Sequence, residues 1–266
     1  MPESLLFAHS VEEAISLKTA GSAFLAGGTE INRLNTSVDA PVLIAIRKLE
    51  ELSAVTEEGD TVWIGAAVTF QRTVEHPLIP DWFKEACRMM VSRTKRNMAT
   101  VGGNIALLRD DSYIMPALLA ARASIVYADK DGTETCVDIC GYMDARRAGK
   151  LNDALILRVG LPTGRKICLK RYANTAMSHS VLNIAYGASS GGKDISIGLA
   201  AKNCGLFCLE QIAAAIEADP SADEETVMTI VNGAGSPAFS DDMFGSADYK
   251  RYLLAATLSR MTVLSR

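Results

Sequence analysis

Two short runs carry the residues best suited to chemistry. They are Ala26-Gly27-Gly28-Thr29-Glu30, behind the apolar Phe24-Leu25, and Thr100-Val101-Gly102-Gly103-Asn104, behind Met98-Ala99. Paired glycines in that setting mark backbone that turns tightly or that another group approaches closely. Amides exposed in such a bend converge into a concavity that receives an anion. Thr29 and Thr100 can add hydroxyl donors and Asn104 an amide. Two bends facing one ligand would surround both phosphoryl groups of a diphosphate, and plain turns are the competing reading. The pattern is not the G-x-G-x-x-G dinucleotide fingerprint, because no helix is read as opening at the glycines.

Other chemistries find less support. Gly187-Ala-Ser-Ser-Gly-Gly-Lys193 satisfies the first seven positions of a phosphate-binding P-loop, but Asp194 stands where Ser or Thr would hold Mg²⁺. The alternating residues after it read as a strand, so a hairpin turn is expected. His9, His76 and His179 sit in no catalytic motif; His179 reads as a strand residue. Asp110 and Asp111 read as solvated or helix-capping acids. No catalytic residue and no metal ligand set is assigned. Cys136-Val-Asp-Ile-Cys140 reads as a strand, whose geometry suits chelation poorly, and with Cys204/Cys208 it fits reduced thiols better than the tighter spacings of zinc or iron–sulfur sites. The basic run Ser92-Arg-Thr-Lys-Arg-Asn97 reads as a solvated turn or a local anion or partner contact.

The elements that must position these residues follow from patterning. The chain has 266 residues, 48% of them hydrophobic and 22% charged, with a net charge of −4. That balance suits a globular protein and argues against nucleic-acid binding. No apolar stretch reaches bilayer length and no secretory signal is visible, so a cytoplasmic protein is expected. Ser10 and Glu13 form a capping box for a helix stopped by Gly21. The runs at 22–30 and 41–46 read as buried strands of a small α/β unit. Hairpins are read at Glu58-Gly59-Asp60 and Lys130-Asp131-Gly132, and helices at 81–91 and 113–123. Beyond 166 come alternating strands, then helices at 206–218 and 221–233, the latter with a Ser221/Glu224 capping box. The fold class is α+β: a domain over 1–165, with subdomains at about 1–52 and 53–165, then a C-terminal module over 166–266 of antiparallel strands and helices.

In order and separation, Ala26-Gly-Gly-Thr-Glu-Ile31 and Ala99-Thr-Val-Gly-Gly-Asn-Ile105 resemble the flavoprotein subunit of the molybdenum hydroxylases. That family includes the medium subunit of carbon monoxide dehydrogenase and the flavin domain of xanthine dehydrogenase. The likeness extends over nearly the whole chain, through Ser10–Leu17, Ile64–Phe70, Pro116–Val126 and the closing Asp242–Leu254. It implies FAD in a cleft between the first two subdomains, its pyrophosphate on the two bends. Carried over by position, Leu25, Ala26, Gly27, Gly28, Thr29, Glu30 and Ile31 form the first loop. Thr100, Val101, Gly102, Gly103 and Asn104 form the second. Ile156 matches an aliphatic residue touching the cofactor, Lys170 a lysine in the flavin site, and Met90 an aromatic position near the ring. Three departures stand out: Tyr113 and Ser178 occupy positions that the family gives to acids, and Gly198–Phe207 lacks a G-x-x-P-x-R run.

The resemblance implies an electron-transfer subunit of a multi-subunit, xanthine dehydrogenase-like hydroxylase. Molybdenum cofactor would lie on a large molybdopterin-binding subunit and iron–sulfur clusters on another partner. Electrons would pass through FAD to NAD⁺, NADP⁺ or another acceptor, the isoalloxazine doing the chemistry and the protein setting orientation and access. The alternatives are a free-standing NAD(P)H flavin oxidoreductase and a degenerate, non-catalytic scaffold or assembly subunit, the last motivated by Tyr113 and Ser178.

Overall fold

The computed structural model describes residues 2–33, 36, 38–219, 221–233 and 235–265, the last by backbone alone. The first elements are β1 (Ser4–Phe7), α1 (Val11–Ser16), β2 (Ser22–Leu25), β3 (Val42–Ala45), β4 (Val55–Glu58) and β5 (Thr61–Gly65). Then come α2 (Phe70–Glu75), α3 (Asp81–Arg88), α4 (Arg93–Met98), α5 (Val101–Leu107) and α6 (Met115–Ala121). The chain continues through β6 (Ser124–Ala128), β7 (Glu134–Asp138), α7 (Ile139–Arg147), β8 (Leu155–Pro162) and β9 (Lys166–Tyr172). It closes with β10 (Leu182–Ser189), β11 (Lys193–Ala201), β12 (Gly205–Cys208), α8 (Glu210–Ala218), α9 (Glu224–Asn232) and α10 (Ala247–Ser265). Two compact units result: Met1–Ile79 with Ser92–Leu107 and Ala123–Leu161, and Pro80–Val91 with Leu108–Arg122 and Pro162–Arg266.

In the first unit, β1, β3 and β2 form a parallel sheet in that order, with Leu25 beside Ala45. The central β3 buries Leu43 and Ile44, as its uninterrupted apolar run requires. Ser10 Oγ accepts from the Glu13 N–H, and the Glu13 carboxylate accepts from the N–H of His9, so the capping box is present with its return bond one residue early. Helix α1 ends at Ser16, ahead of Gly21, which instead lies within the Thr19–Ser22 turn into β2. A five-stranded sheet in the order β4-β5-β8-β6-β7, antiparallel at β4–β5, β8–β6 and β6–β7, completes this unit. Both hairpins turn where expected, on Gly59 (φ +59°) and Gly132 (φ +79°). The strand through Cys136 stops short of Cys140. Asp138 accepts from the Gly141 N–H and caps α7, which places Cys140 on a helix.

The second unit is built on the antiparallel sheet β12-β11-β10-β9. Helix α6 packs on β10 and β11. Two strand glycines allow the close approach: a Cβ on Gly187 would stand 2.0 Å from the Ala120 carbonyl oxygen, and one on Gly198 2.2 Å from that of Pro116. Ile184, Tyr186, Leu199, Ile212, Val227, Leu254 and Leu258 form its core. The would-be P-loop is the β10–β11 hairpin turn, with Gly191 and Gly192 at φ +81° and +72°. Residues 206–208, read as the start of a helix, belong to strand β12 instead. The helix at 224–232 is capped by Asp223, which accepts from the Thr226 N–H, whereas Ser221 donates to Asp219. The carboxylate directly adjoining the first turn outcompetes the more distant hydroxyl. No helix among the described residues is long and apolar enough to cross a membrane.

Candidate functional site

Strands β2 and β3 are parallel neighbours, so their carboxyl ends open at one edge of the sheet, where α/β folds place ligands. The first glycine bend leaves β2 at that edge. It closes on itself through Asn32 N–H to Gly28 O and Arg33 N–H to Glu30 O. Gly28 takes φ +71°, a left-handed conformation that suits glycine. Glu30 is buried and receives Arg33 Nη1 at 3.1 Å. The amides of Gly27, Gly28, Thr29 and Ile31 have no hydrogen-bond partner among the described residues, nor has the Thr29 hydroxyl. These are the open donors of the site.

The second bend lies against the first. A Cβ on Gly27 would stand 1.8 Å from the Met98 carbonyl oxygen, so only glycine permits this contact. Val101 N–H donates to Val68 O, Gly102 N–H to Ala66 O, Gly103 N–H to Thr100 Oγ1 and Asn104 N–H to Thr100 O. Four of its five amides are therefore engaged within the chain, and only the Thr100 N–H has no partner among the described residues. Gly102 also lies tightly on Ala66, whose Cβ would be 2.5 Å from an added one. Contrary to the pattern reading, this doublet does open a helix: Gly102 and Gly103 occupy the first turn of α5. The two bends thus differ in kind. The first presents donors, and the second supplies a close-packed wall.

Ile156 is buried on β8 in the first unit, and Lys170 is exposed on β9 in the second, its Nζ 5.5 Å from the centre of the Tyr172 ring. Met90 follows α3, half-buried. A polar cluster that sequence reasoning missed occupies the second unit. Asp111, read as solvated or capping, is 5% exposed and receives Arg109 through two bonds of 2.8 Å. His179 Nδ1 lies 3.1 Å away, in the loop before β10 rather than on a strand, and Lys202 Nζ 3.7 Å away. Burial pushes the Asp111 carboxyl up, but the Arg109 bonds and the charges of Arg109, Lys202 and His179 bring it below the ordinary carboxylate value. Asp110 accepts from Lys202 and from the Asn203 N–H. Tyr113 and Ser178 converge on one side chain: Arg171 stands 5.8 Å from the Tyr113 ring centre and donates to the Ser178 carbonyl and Ser180 Oγ. Burial raises the Tyr113 hydroxyl, with Arg171 opposing. Only the sequence adjacency of Arg109 and Asp111 hinted at this cluster.

With the bends in place, the decisive comparison is with family models: residues 2–164 match the FAD binding domain in molybdopterin dehydrogenase. The chain belongs to this family. Across its full length the chain has the fold of a carbon monoxide dehydrogenase chain from Hydrogenophaga pseudoflava, at a TM-score of 0.82 and 21% identity, covering 100% of this chain and 97% of that one. It is 32% identical over 133 residues to the nicotinate dehydrogenase FAD-subunit of Eubacterium barkeri, covering 47% of this chain and 45% of that protein. It is also 33% identical over 132 residues to the uncharacterized protein YgfM of Escherichia coli K12, covering 48% and 51%. The chain spans about half the length of the curated relatives it matches. As a member of the FAD-binding domains of molybdopterin dehydrogenases, it belongs among oxidoreductase components.

Proposed function

We propose that this chain is the FAD-binding electron-transfer subunit of a multi-subunit molybdenum-dependent hydroxylase or dehydrogenase. Residues 1–165 would carry the cofactor-binding domain and 166–266 the C-terminal module. The apposition of the two glycine bends, with most of the open amides on the first, carries the reading. The residues present fit a diphosphate: Gly27, Gly28, Thr29 and Ile31 would donate to the phosphoryl oxygens, while the Gly27–Met98 contact keeps the bend shallow enough for backbone to reach them. Ile156 would touch the cofactor and Lys170 would lie in the flavin site. Bound FAD would supply the electron-carrying chemistry, and the chain would orient it and limit solvent access.

In this reading substrate, a purine or other N-heterocycle, is oxidised on a separate large subunit, and iron–sulfur clusters on a small subunit feed this one. NAD⁺ or another acceptor takes the electrons. The family match and the nicotinate dehydrogenase FAD-subunit likeness support the assignment. The test is the visible spectrum of the natively expressed protein, followed by size-exclusion and identification of co-eluting chains. A flavin band with two co-eluting subunits is expected. A yellow protein eluting alone would indicate a free-standing NAD(P)H flavin oxidoreductase. The rebuilt surroundings of Tyr113 and Ser178 favour one rival, a scaffold without cofactor; a colourless protein that stays colourless after FAD is added would establish it.

A further inference from the structure

The basic run at 92–97 is neither a turn nor an uncommitted cationic patch. It is helix α4, capped by Ser92 Oγ accepting from the Lys95 N–H. Two of its cations are turned onto α2: Arg96 Nε donates to Gln71 Oε1 at 2.9 Å, and Arg93 lies 3.3 Å from Glu75. The Lys95 carbonyl accepts from the Ala99 N–H, and the carbonyls after it have no intrahelical partner, as at any helix end. Two of them in succession meet the parallel sheet. The Met98 carbonyl abuts Gly27, just past β2. The Asn97 carbonyl accepts from Arg47 Nη2 at 3.0 Å, and Arg47 stands just past β3. Since β2 and β3 are paired with Leu25 beside Ala45, Gly27 and Arg47 leave the same edge of the sheet at nearly the same height.

From this geometry we infer that Arg47 is a positioning residue for the cofactor site: with Gly27 it docks the C-terminal end of α4 at two points on the sheet edge and so sets the spacing of the two glycine bends. The Gly27 contact limits approach but cannot by itself hold the helix end in place. A guanidinium on a terminal carbonyl supplies that attraction, and its charge complements the negative end of the helix dipole. Arg47 is exposed and makes no ion pair with a carboxylate among the described residues, so this carbonyl is its one hydrogen-bond partner there. The inference rests on the proposed FAD site and assigns it a determinant outside both glycine runs.

The test compares Arg47→Gln, Arg47→Lys and, as a control, Arg158→Gln, whose arginine is in the same unit but pairs with Glu58 and stacks on Trp63. FAD is titrated into flavin-free full-length protein, followed by quenching of flavin fluorescence. Amide hydrogen exchange over residues 97–103 is measured without FAD. Arg47→Gln is expected to weaken FAD binding by roughly tenfold, the scale of one charge-assisted hydrogen bond, and to accelerate exchange at 97–103 with little change in the thermal midpoint. Arg47→Lys should recover part of both losses, and Arg158→Gln should show neither. Wild-type affinity and unchanged exchange in Arg47→Gln would overturn the inference, as would equal losses in Arg158→Gln. If the wild type takes up no FAD, the functional reading fails, and hydrogen exchange alone decides the clamp: faster exchange supports it, unchanged exchange refutes it.

Discussion

At the scale of single residues, the four glycines of the two bends are not equivalent. Gly27→Ala would drive a methyl into the Met98 carbonyl and part the bends, so flavin retention and thermal stability should both fall sharply. Gly28→Ala meets milder crowding, from Asn32 Nδ2 at 3.2 Å, but forces a left-handed L-residue, at a cost of roughly 1–2 kcal/mol. It should retain the fold and lose much of its flavin, read by circular dichroism beside the visible spectrum. Asp111 offers a pH test. Its folded-state value is depressed, so its stabilisation is present above the unfolded carboxylate value and lost as pH falls through the folded one. Urea midpoints measured downward from pH 7 should drop more steeply below about pH 4 in the wild type than in Asp111→Asn. At pH 7 that variant should already be about 2 kcal/mol less stable, the scale of hydrogen bonds to a charged group. The doublets themselves were legible in the sequence because glycine behind an apolar run has few uses. The Asp111 cluster was not, because His179 and Lys202 reach it only through the fold of the sheet.

At the scale of elements, local chemistry was readable where it is local. Gly59 and Gly132 announced their hairpins, and the alternation after Lys193 ruled out a P-loop. Caps were harder, since several polar residues stood near each helix start and only geometry chose among them. That choice can be tested on α9. Asp223→Ala, which removes the N-cap, should lower the thermal midpoint measurably, and Ser221→Ala should lower it less. Thermal denaturation of the two variants side by side separates them. Helix α7 escaped notice because its cap, Asp138, ends a strand whose alternation seemed to run on to Cys140. Arg47 escaped because a carbonyl partner leaves no mark in a sequence.

At the scale of the whole molecule, the order of motifs was enough for the family, since no single doublet identifies it but the ordered set does. The interleaving of the units was not visible. Helix α6 lies between first-unit segments in the sequence, yet its packing surface is the Gly187 and Gly198 floor of a sheet made by much later residues. A chain truncated after residue 165 would keep both glycine bends and leave the buried Met115, Leu118 and Leu119 without that floor. It should aggregate or bind hydrophobic dyes where the full chain does not, as size-exclusion and dye fluorescence would record.

The backbone is drawn back and forth through the two bodies like a running stitch. Neither body could have been gained, lost or exchanged as one continuous piece of gene.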